Sequence, residues 1–453
     1  MEKSGKNDKN GDNGSDKLKD VKVVEPKKFL FVSYDALISD IAWQVVKEGH
    51  EAKYFIREVD DKDIADGFVP KTNDWEKEVA WADIVVFDDV LGHGKFAEDV
   101  RKKGKLVVGG TSYTDQLEDD RSFGQEELKK YGISIIPYGL FTSFDDAIKF
   151  VKENPNRYVI KPSGEAQNVK GMLFVGEEDD GRDVIQVLND YKQAWIDKMP
   201  SFQLQRTVVG VEVAVGAFFN GTEFVYPINV NFEHKKLFPG NLGPSTGEMG
   251  TSMFWSGPNK IFNQTLKKFE PKLAEEKYVG YIDLNCIVNG NGIYPLEFTA
   301  RFGYPTIFIQ SEGINMPMGE FLYGLAAGTL KTFKAKSGFQ VGVRIVVPPF
   351  PFTDPETFNV KSKDSIIHFK KENRDGVHIE DVKLVHDEWV VTGTSGVILV
   401  VCGTGQTMKQ AQNQAYARIR NIVIPHMYYR YDIGDRWFDD SDKLHNWGYL
   451  REV

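Results

Sequence analysis

Cysteine is nearly absent: the 453 residues hold two, Cys286 and Cys402, each inside an apolar run (CIV and VVC). Such a supply builds neither a disulfide framework nor a Cys-based zinc site, and it fits buried thiols in a reducing cytosol. Long hydrophobic runs are missing too. No segment approaches the roughly 18 consecutive apolar residues of a membrane-spanning helix, and the N-terminus shows no apolar signal core. Nor is positive charge in excess. With 56 Lys and Arg against 66 Asp and Glu, the net charge is −10, which argues against nucleic acid as the main partner, since phosphate backbones need a basic face. A local basic pocket for a nucleotide stays open. These absences predict a soluble, cytoplasmic protein with no membrane or nucleic-acid partner; small-molecule substrates and a monomer or homodimer are the accompanying expectations.

What is present is ordinary globular composition, 41% apolar and 27% charged, in a chain too long for one core. Residues 1–26 open with MEKSGKNDKNGDNGSDKLKD, which has too little apolar surface to offset its ordering entropy and is expected to be a disordered tail. From 27 to 115, apolar runs (KKFLFVSYD, EAKYFI, ADIVVFDD, KLVVGG) alternate with an amphipathic stretch, ISDIAWQVVKEGH. That alternation predicts a parallel α/β domain. Residues 116–335 follow as a second, mixed domain. Helix starts are signalled at Asp120 or Ser122 and at Thr142 or Ser143. Residues 336–437 read as a separate antiparallel β/α lobe, and 438–453 as a tail. The fold class is therefore α/β and α+β, multidomain.

Three constellations carry chemistry. The first is the hairpin YIDLNCIVNGNGIYPLEFTARFG, whose NGNG turn is a strong hairpin signal. With a three-residue loop centred on Gly290, Asp283 falls opposite Glu297, and Asp283, Asn285, Glu297, Thr299 and Arg301 share one face. Adjacent carboxylates repel unless a cation lies between them, and a hard cation takes carboxylate together with phosphate oxygens. A solvated strand face is the alternative, and the apolar flanks Ile282, Leu284, Leu296 and Phe298 argue against it. The second is Lys161, closing the run RYVIKPSG, with Lys170 in the glycine-containing loop that follows. Backbone N–H groups and lysines in such a loop suit phosphates, although strand-end lysines are usually only solvated. The third is the loop GPSTGEMGT after FEHKK, where His234, Lys235, Gly243, Ser245, Thr246, Gly247 and Gly250 suit contact with an anionic substrate. His93, between glycines, reads as a turn residue.

The order DRSFGQEELKKYGISIIPY, VIKPSGEAQNVKGM, HKK…GPSTGEMG, LEFTARFGYP and VTGTSGVILVVCGTGQTMKQAQNQAYARIRNIVIPHMYYRYDIGDR resembles the glycinamide ribonucleotide synthetase (phosphoribosylamine–glycine ligase) family of ATP-grasp ligases, from roughly 27 to 436. The resemblance implies an N-terminal α/β domain, a two-lobed ATP-grasp core with a mobile lobe at about 135–205, and a C-terminal lobe. It also implies ATP with Mg²⁺ or Mn²⁺, and activation of a carboxylate to an acyl phosphate that an amine attacks. In that family glycine, 5-phosphoribosylamine and ATP give GAR, ADP and phosphate in purine biosynthesis. By the same resemblance Lys161 and Lys170 hold ATP phosphates, and Glu212 in VVGVEVAV matches a family acid. Gln205, in the stretch 203–207, lies at the adenine edge, and Glu297 ligates metal. Arg301, Lys170 and the 243–250 loop face the reacting centre.

Departures from the family pattern point to the substrate side. Thr299 and Tyr304 replace the Asn and Asp of the metal motif, and the stretch SYDALISDIAW lacks the family's N-terminal Gly-Gly-Arg-Glu-His-Ala signature. VPPFPF stands where the family has a Gly-Gly-Tyr-Pro turn. A metal site rebuilt from Asp283, Glu297 and Thr299 is the corresponding expectation, with Asn285 supplying an amide oxygen. Besides the purine ligase, two readings stand: a paralogous ATP-grasp ligase with another amine or amino acid, and a non-catalytic nucleotide-binding protein on the same scaffold.

Overall fold

The computed structural model describes residues 25–163, 166 and 172–450. The tail expected at 1–26 lies outside them except for its last two residues. Four short strands, β1 (Lys28–Ser33), β2 (Glu51–Ile56), β3 (Ile84–Phe87) and β4 (Leu106–Val108), form a parallel sheet in the order β2-β1-β3-β4. All four residues of β3 are buried, as the unbroken apolar run demands of a strand covered on both faces. The helix Ser39–Lys47 buries Ile41, Ala42 and Val45, and the helix His93–Lys102 buries Ala97 and Val100. His93 begins that second helix and is fully buried.

The helix Arg121–Lys130 starts on Asp120, whose carboxylate accepts from the backbone N–H of Ser122 and Phe123. It leads into a smaller lobe whose sheet runs β5 (Tyr138–Phe141), β8 (Phe202–Arg206), β6 (Tyr158–Pro162), β7 (Phe174–Val175). One face of that sheet packs Tyr158, Ile160, Phe202 and Leu204 against two helices, Phe144–Glu153 and Arg182–Trp195, as a core of its own. Alternation sends Lys161, Gln203 and Gln205 to the opposite face, where Lys161 sits across from Gln203.

The body of the molecule is one eight-stranded antiparallel sheet. It contains β9 (Val211–Asn220), β10 (Phe224–Glu233), β13 (Gly250–Ser256), β14 (Val279–Asn289), β15 (Gly292–Thr299) and β16 (Phe339–Val346), with a two-stranded ribbon of β11 (Lys236–Phe238) and β12 (Leu242–Ser245) attached. The order is β15-β14-β9-β10-β13-β16, continued by the strands Val397–Gly405 and Val377–Ile379. The expected separate lobe after 336 is thus only partly separate: β16 and the strands Val397–Gly405 and Val377–Ile379 extend the central sheet through β13, whereas Val382–Val385 with Glu388–Val391, and His368–Phe369 with Ile422–Val423, pair as two-stranded sheets of their own. The last segment also differs from a tail. Arg436–Asn446 is a helix whose Trp437 packs on Phe232, Phe254 and Phe339, with Leu444 fully buried. Gly250 is required where β13 meets β16, because a Cβ there would lie 2.5 Å from the Gly342 carbonyl oxygen. Both cysteines are buried and unpaired, and no helix among the described residues is long and apolar enough to cross a membrane.

Candidate active site

The β14–β15 hairpin turns through two residues, Gly290 and Asn291, because Asn289 pairs with Gly292. A bulge at Leu296 then shifts the register, so Asn285 faces Glu297 and Asp283 faces Thr299. The expected Asp283–Glu297 pair is therefore corrected. Its shared face survives, because the turn and the bulge each displace the pairing by one and the two displacements preserve the period of two.

A cation does lie among the carboxylates, and it is a side chain. Lys235 Nζ is 3.1 Å from Glu212, 3.2 Å from Glu233 and 3.2 Å from Glu297. Glu233 ends β10, so Lys235, two residues on, continues the same face. Asn285 Nδ2 donates to Glu212 at 3.1 Å and to Glu233 at 3.3 Å. Arg436 in turn fixes the backbone beneath them by donating to the carbonyls of Glu212 and Glu233. The Lys235 ammonium is the main reason that the Glu297 carboxyl is held down to about 2, although its side chain stays 48% exposed to the cleft.

Glu297 and Thr299 form one wall of a 360 Å³ cavity, together with Glu118, Arg121, Gln125, Gly247 and Arg301. Lys161 reaches toward the same carboxylate from the lobe. Its amine is pushed down to about 7, first by burial and then by the neighbouring Arg121, against the pull of Glu297. Arg121 Nε is buried without a hydrogen-bond partner, as are Gln203 Oε1 and Gln205 Nε2 on the lobe sheet. Buried polar atoms of this kind normally find partners, so the space between lobe and hairpin has the donors and acceptors of a ligand site. Arg301 is already engaged. It donates to Glu118 at 3.1 Å and to the Phe302 carbonyl, and lies 3.4 Å from Asp89, so it forms a fixed positive wall. Burial nevertheless pushes the Glu118 carboxyl up to about 7.

Not every expected residue joins. Asp283 does not line the cavity; it is 3% exposed, and burial together with Glu233 pushes its carboxyl up to about 8. His234 points away: its Nε2 accepts from the Gly434 N–H, and burial plus Arg436 and Arg430 push it down to about 3. Gly243 and Ser245 lie in the exposed β11–β12 ribbon, Thr246 caps the Lys235 carbonyl and Gly250 is a packing residue. Of that loop only Gly247 reaches the cavity. Lys170 lies outside the described residues. Conversely, Arg121, Glu118 and Glu233 went unremarked in the sequence. Glu233 was legible, since FEHKK places an acid and Lys235 two apart on one strand face.

No three His, Cys, Asp or Glu among the described residues converge as a metal cage. Mg²⁺, however, commonly takes one or two carboxylates and completes its shell with waters and phosphate oxygens. Glu297, which lines the 360 Å³ cavity, and Glu212, which shares Lys235 with it, can supply that pair, and Asn285 Oδ1 is buried without a hydrogen-bond partner. The set fits a cation that arrives with a nucleotide, and not a protein-only site built on Asp283 and Thr299.

A lobe sheet with lysine and amides on its open face, closing over an acidic hairpin, defines the ATP-grasp class. The comparisons agree. A family model for the ATP-grasp (A) domain of phosphoribosylglycinamide synthetase matches residues 119–307, and one for the C domain matches 342–436, together well over half of the chain. Phosphoribosylamine–glycine ligase of Streptococcus pneumoniae is 24% identical over 378 residues, covering 81% of this chain and 85% of the relative. The Lactococcus lactis enzyme is 23% identical, covering 73% and 78%. Among solved structures, phosphoribosylamine–glycine ligase of Thermotoga maritima superposes with a TM-score of 0.66 at 20% identity, over 90% of this chain and all of that one. The biotin carboxylase domain of 2-oxoglutarate carboxylase from Hydrogenobacter thermophilus reaches 0.61 at 13% identity, over 94% and 99%. The chain belongs to the phosphoribosylglycinamide synthetase family.

Proposed function

We propose that this protein is an ATP-dependent carboxylate–amine ligase that joins glycine to 5-phosphoribosylamine, giving GAR, ADP and phosphate in purine biosynthesis. The observation that carries the reading is the cleft between Lys161 and Glu297 in a chain matched by both the ATP-grasp and the C-domain family models. Lys161 and Arg121 hold the phosphates, with Lys170 as the second phosphate lysine, and Gln205 and Gln203 offer amides to the adenine edge. A divalent cation held by Glu297 and Glu212 would neutralise phosphate charge. A glycine carboxylate oxygen attacks the γ-phosphorus, which breaks its bond to ADP and leaves an acyl phosphate. The amine then attacks the carbonyl carbon; the C–O bond breaks, phosphate leaves with the electron pair, and the amine's proton passes to solvent. Arg301 and the Gly247 segment stand where negative charge builds up.

A specific observation favours a second reading, a ligase with a different amine. Gly247 also borders a 540 Å³ cavity lined by Asp35, Glu58, Asp60, Asp61, Glu380 and Asp381, in which the one arginine, Arg344, is paired with Glu380 at 2.7 Å. A phosphate-bearing amine is poorly served there, whereas a cationic amine is well matched. ADP release with glycine and phosphoribosylamine, followed by a panel of amines, separates the two. Turnover with phosphoribosylamine alone supports the first reading, and turnover only with a cationic amine supports the second. ATP binding without turnover on any pair would overturn both.

A further inference from the structure

We propose that Lys235 is the resident cation of the nucleotide-free site and must be exchanged for the divalent cation that enters with the nucleotide. The inference rests on reading the cleft as a metal–nucleotide site. An ammonium has three protons, and Lys235 has three carboxylates from three strands, at 3.1, 3.2 and 3.2 Å. These are N–H···O distances. A Mg²⁺ ion holds its oxygens at about 2.0–2.1 Å, so the three carboxylates spread around an ammonium cannot all close on a metal in this arrangement.

The three carboxylates do not depend on Lys235 equally. Glu212 and Glu233 also accept from Asn285, and their backbone carbonyls are tied to Arg436. Glu297 is the most exposed of the three, at 48% against 36% for Glu212 and 17% for Glu233. Exchange therefore begins at Glu297, the residue that also faces the cavity. Metal alone competes with an ammonium already satisfied on three sides. Metal with phosphates brings new acceptors for the displaced ammonium as well as ligands for itself, so the site favours the complex over the bare ion.

The test needs no turnover. Mn²⁺ binding is followed by the loss of the free-ion electron paramagnetic resonance signal, without nucleotide, in the wild type, Lys235→Met and Lys235→Arg. The methionine variant is expected to bind Mn²⁺ at least about tenfold more tightly than the wild type, and the arginine variant, which keeps the charge, no more tightly. Adding a non-hydrolysable ATP analogue is expected to shrink the Met-to-wild-type difference to within about threefold. Equal Mn²⁺ affinity of methionine variant and wild type without nucleotide overturns the proposal. Should Lys235→Met fail to fold by circular dichroism, ¹⁵N-lysine spectra of the wild type decide. The Nζ resonance that Lys235→Arg removes should shift with Mg·ADP and not with Mg²⁺ alone, and an unmoved resonance at saturating Mg·ADP overturns the exchange. If the wild type binds no nucleotide at all, the ligase reading fails, while the nucleotide-free metal comparison remains a separate result.

Discussion

At Lys161 the folded protein holds an amine at its tipping point. Burial and Arg121 bring it down to about 7, so near neutrality the nucleotide-free site is only partly charged there. Polyphosphate favours the ammonium, and binding above pH 7 must therefore take up a proton, with affinity falling by up to about tenfold per pH unit. Calorimetry of ADP binding at pH 8 in buffers of different ionisation enthalpy should show uptake approaching one proton. No uptake would mean that the lysine is already charged. Lys161→Arg, whose guanidinium stays charged, should remove the dependence. Lys161, Glu297 and Glu212 were legible because each stands out against its own apolar strand or matches a family acid. His234 lies away from the cleft because it is buried against Gly434, in a segment 200 residues away that no local pattern signals.

Asp283 carries the opposite sign. Its folded carboxyl is at about 8 against about 3.9 unfolded, so between those values the unfolded chain is ionised while the native state keeps its proton. Stability is consequently lost as pH rises across that window and is not lost further above it. Asp283→Asn removes the liability. Its melting temperature relative to the wild type should climb from pH 4 to pH 8, while Mn²⁺ affinity with nucleotide stays within about threefold. A lost metal requirement would restore Asp283 to the site. Glu297→Gln, by contrast, removes the cavity-facing charge and should abolish metal-dependent turnover in the ADP-release assay; an unchanged rate would place the metal elsewhere.

At the level of elements, alternation was readable and register was not. The NGNG turn announced the hairpin, but two-residue and three-residue loops differ by one position, and a bulge leaves no composition signal. The lobe strands were legible as short apolar runs, and their open face followed from the period of two. What the sequence could not give was the packing that makes this lobe its own unit, with Leu188 fully buried between helix and sheet. Leu188→Ala should cost about 2–5 kcal/mol by leaving a cavity. Because that core is separate from the main one, faster amide hydrogen exchange should stay within the lobe sheet and its two helices. Exchange spread evenly over β9 to β16 would show that the lobe has no separate stability.

Over the whole molecule, the order of domains could be read from alternating runs, but the joining of the C-terminal strands to the central sheet could not, since β16 meets β13 across 82 residues. The same long-range folding creates a clamp with no local signature. His378, on the strand Val377–Ile379, places Nδ1 2.7 Å from Asp40 on the first domain's helix and Nε2 3.3 Å from Glu312 on the helix Thr306–Gly313. Asp40 also accepts from Gln44 and the Ile379 N–H. Although burial opposes both charges, Asp40 raises His378 well above its usual value, and His378 keeps Asp40 lowered. His378→Gln leaves a buried carboxylate without its cation and should cost about 3–5 kcal/mol. The His378 contribution is complete below about pH 6.5 and is lost as pH rises through its raised folded value. The Asp40 contribution is present above about pH 3.9 and is lost as pH falls through its lowered one. The stability gap between wild type and variant should therefore be widest between those limits and close at both extremes. Adding Asp40→Asn to His378→Gln should recover part of the loss, because removing both partners is less damaging than stranding one. Additive losses in chemical denaturation would mean that the two side chains do not act as a pair.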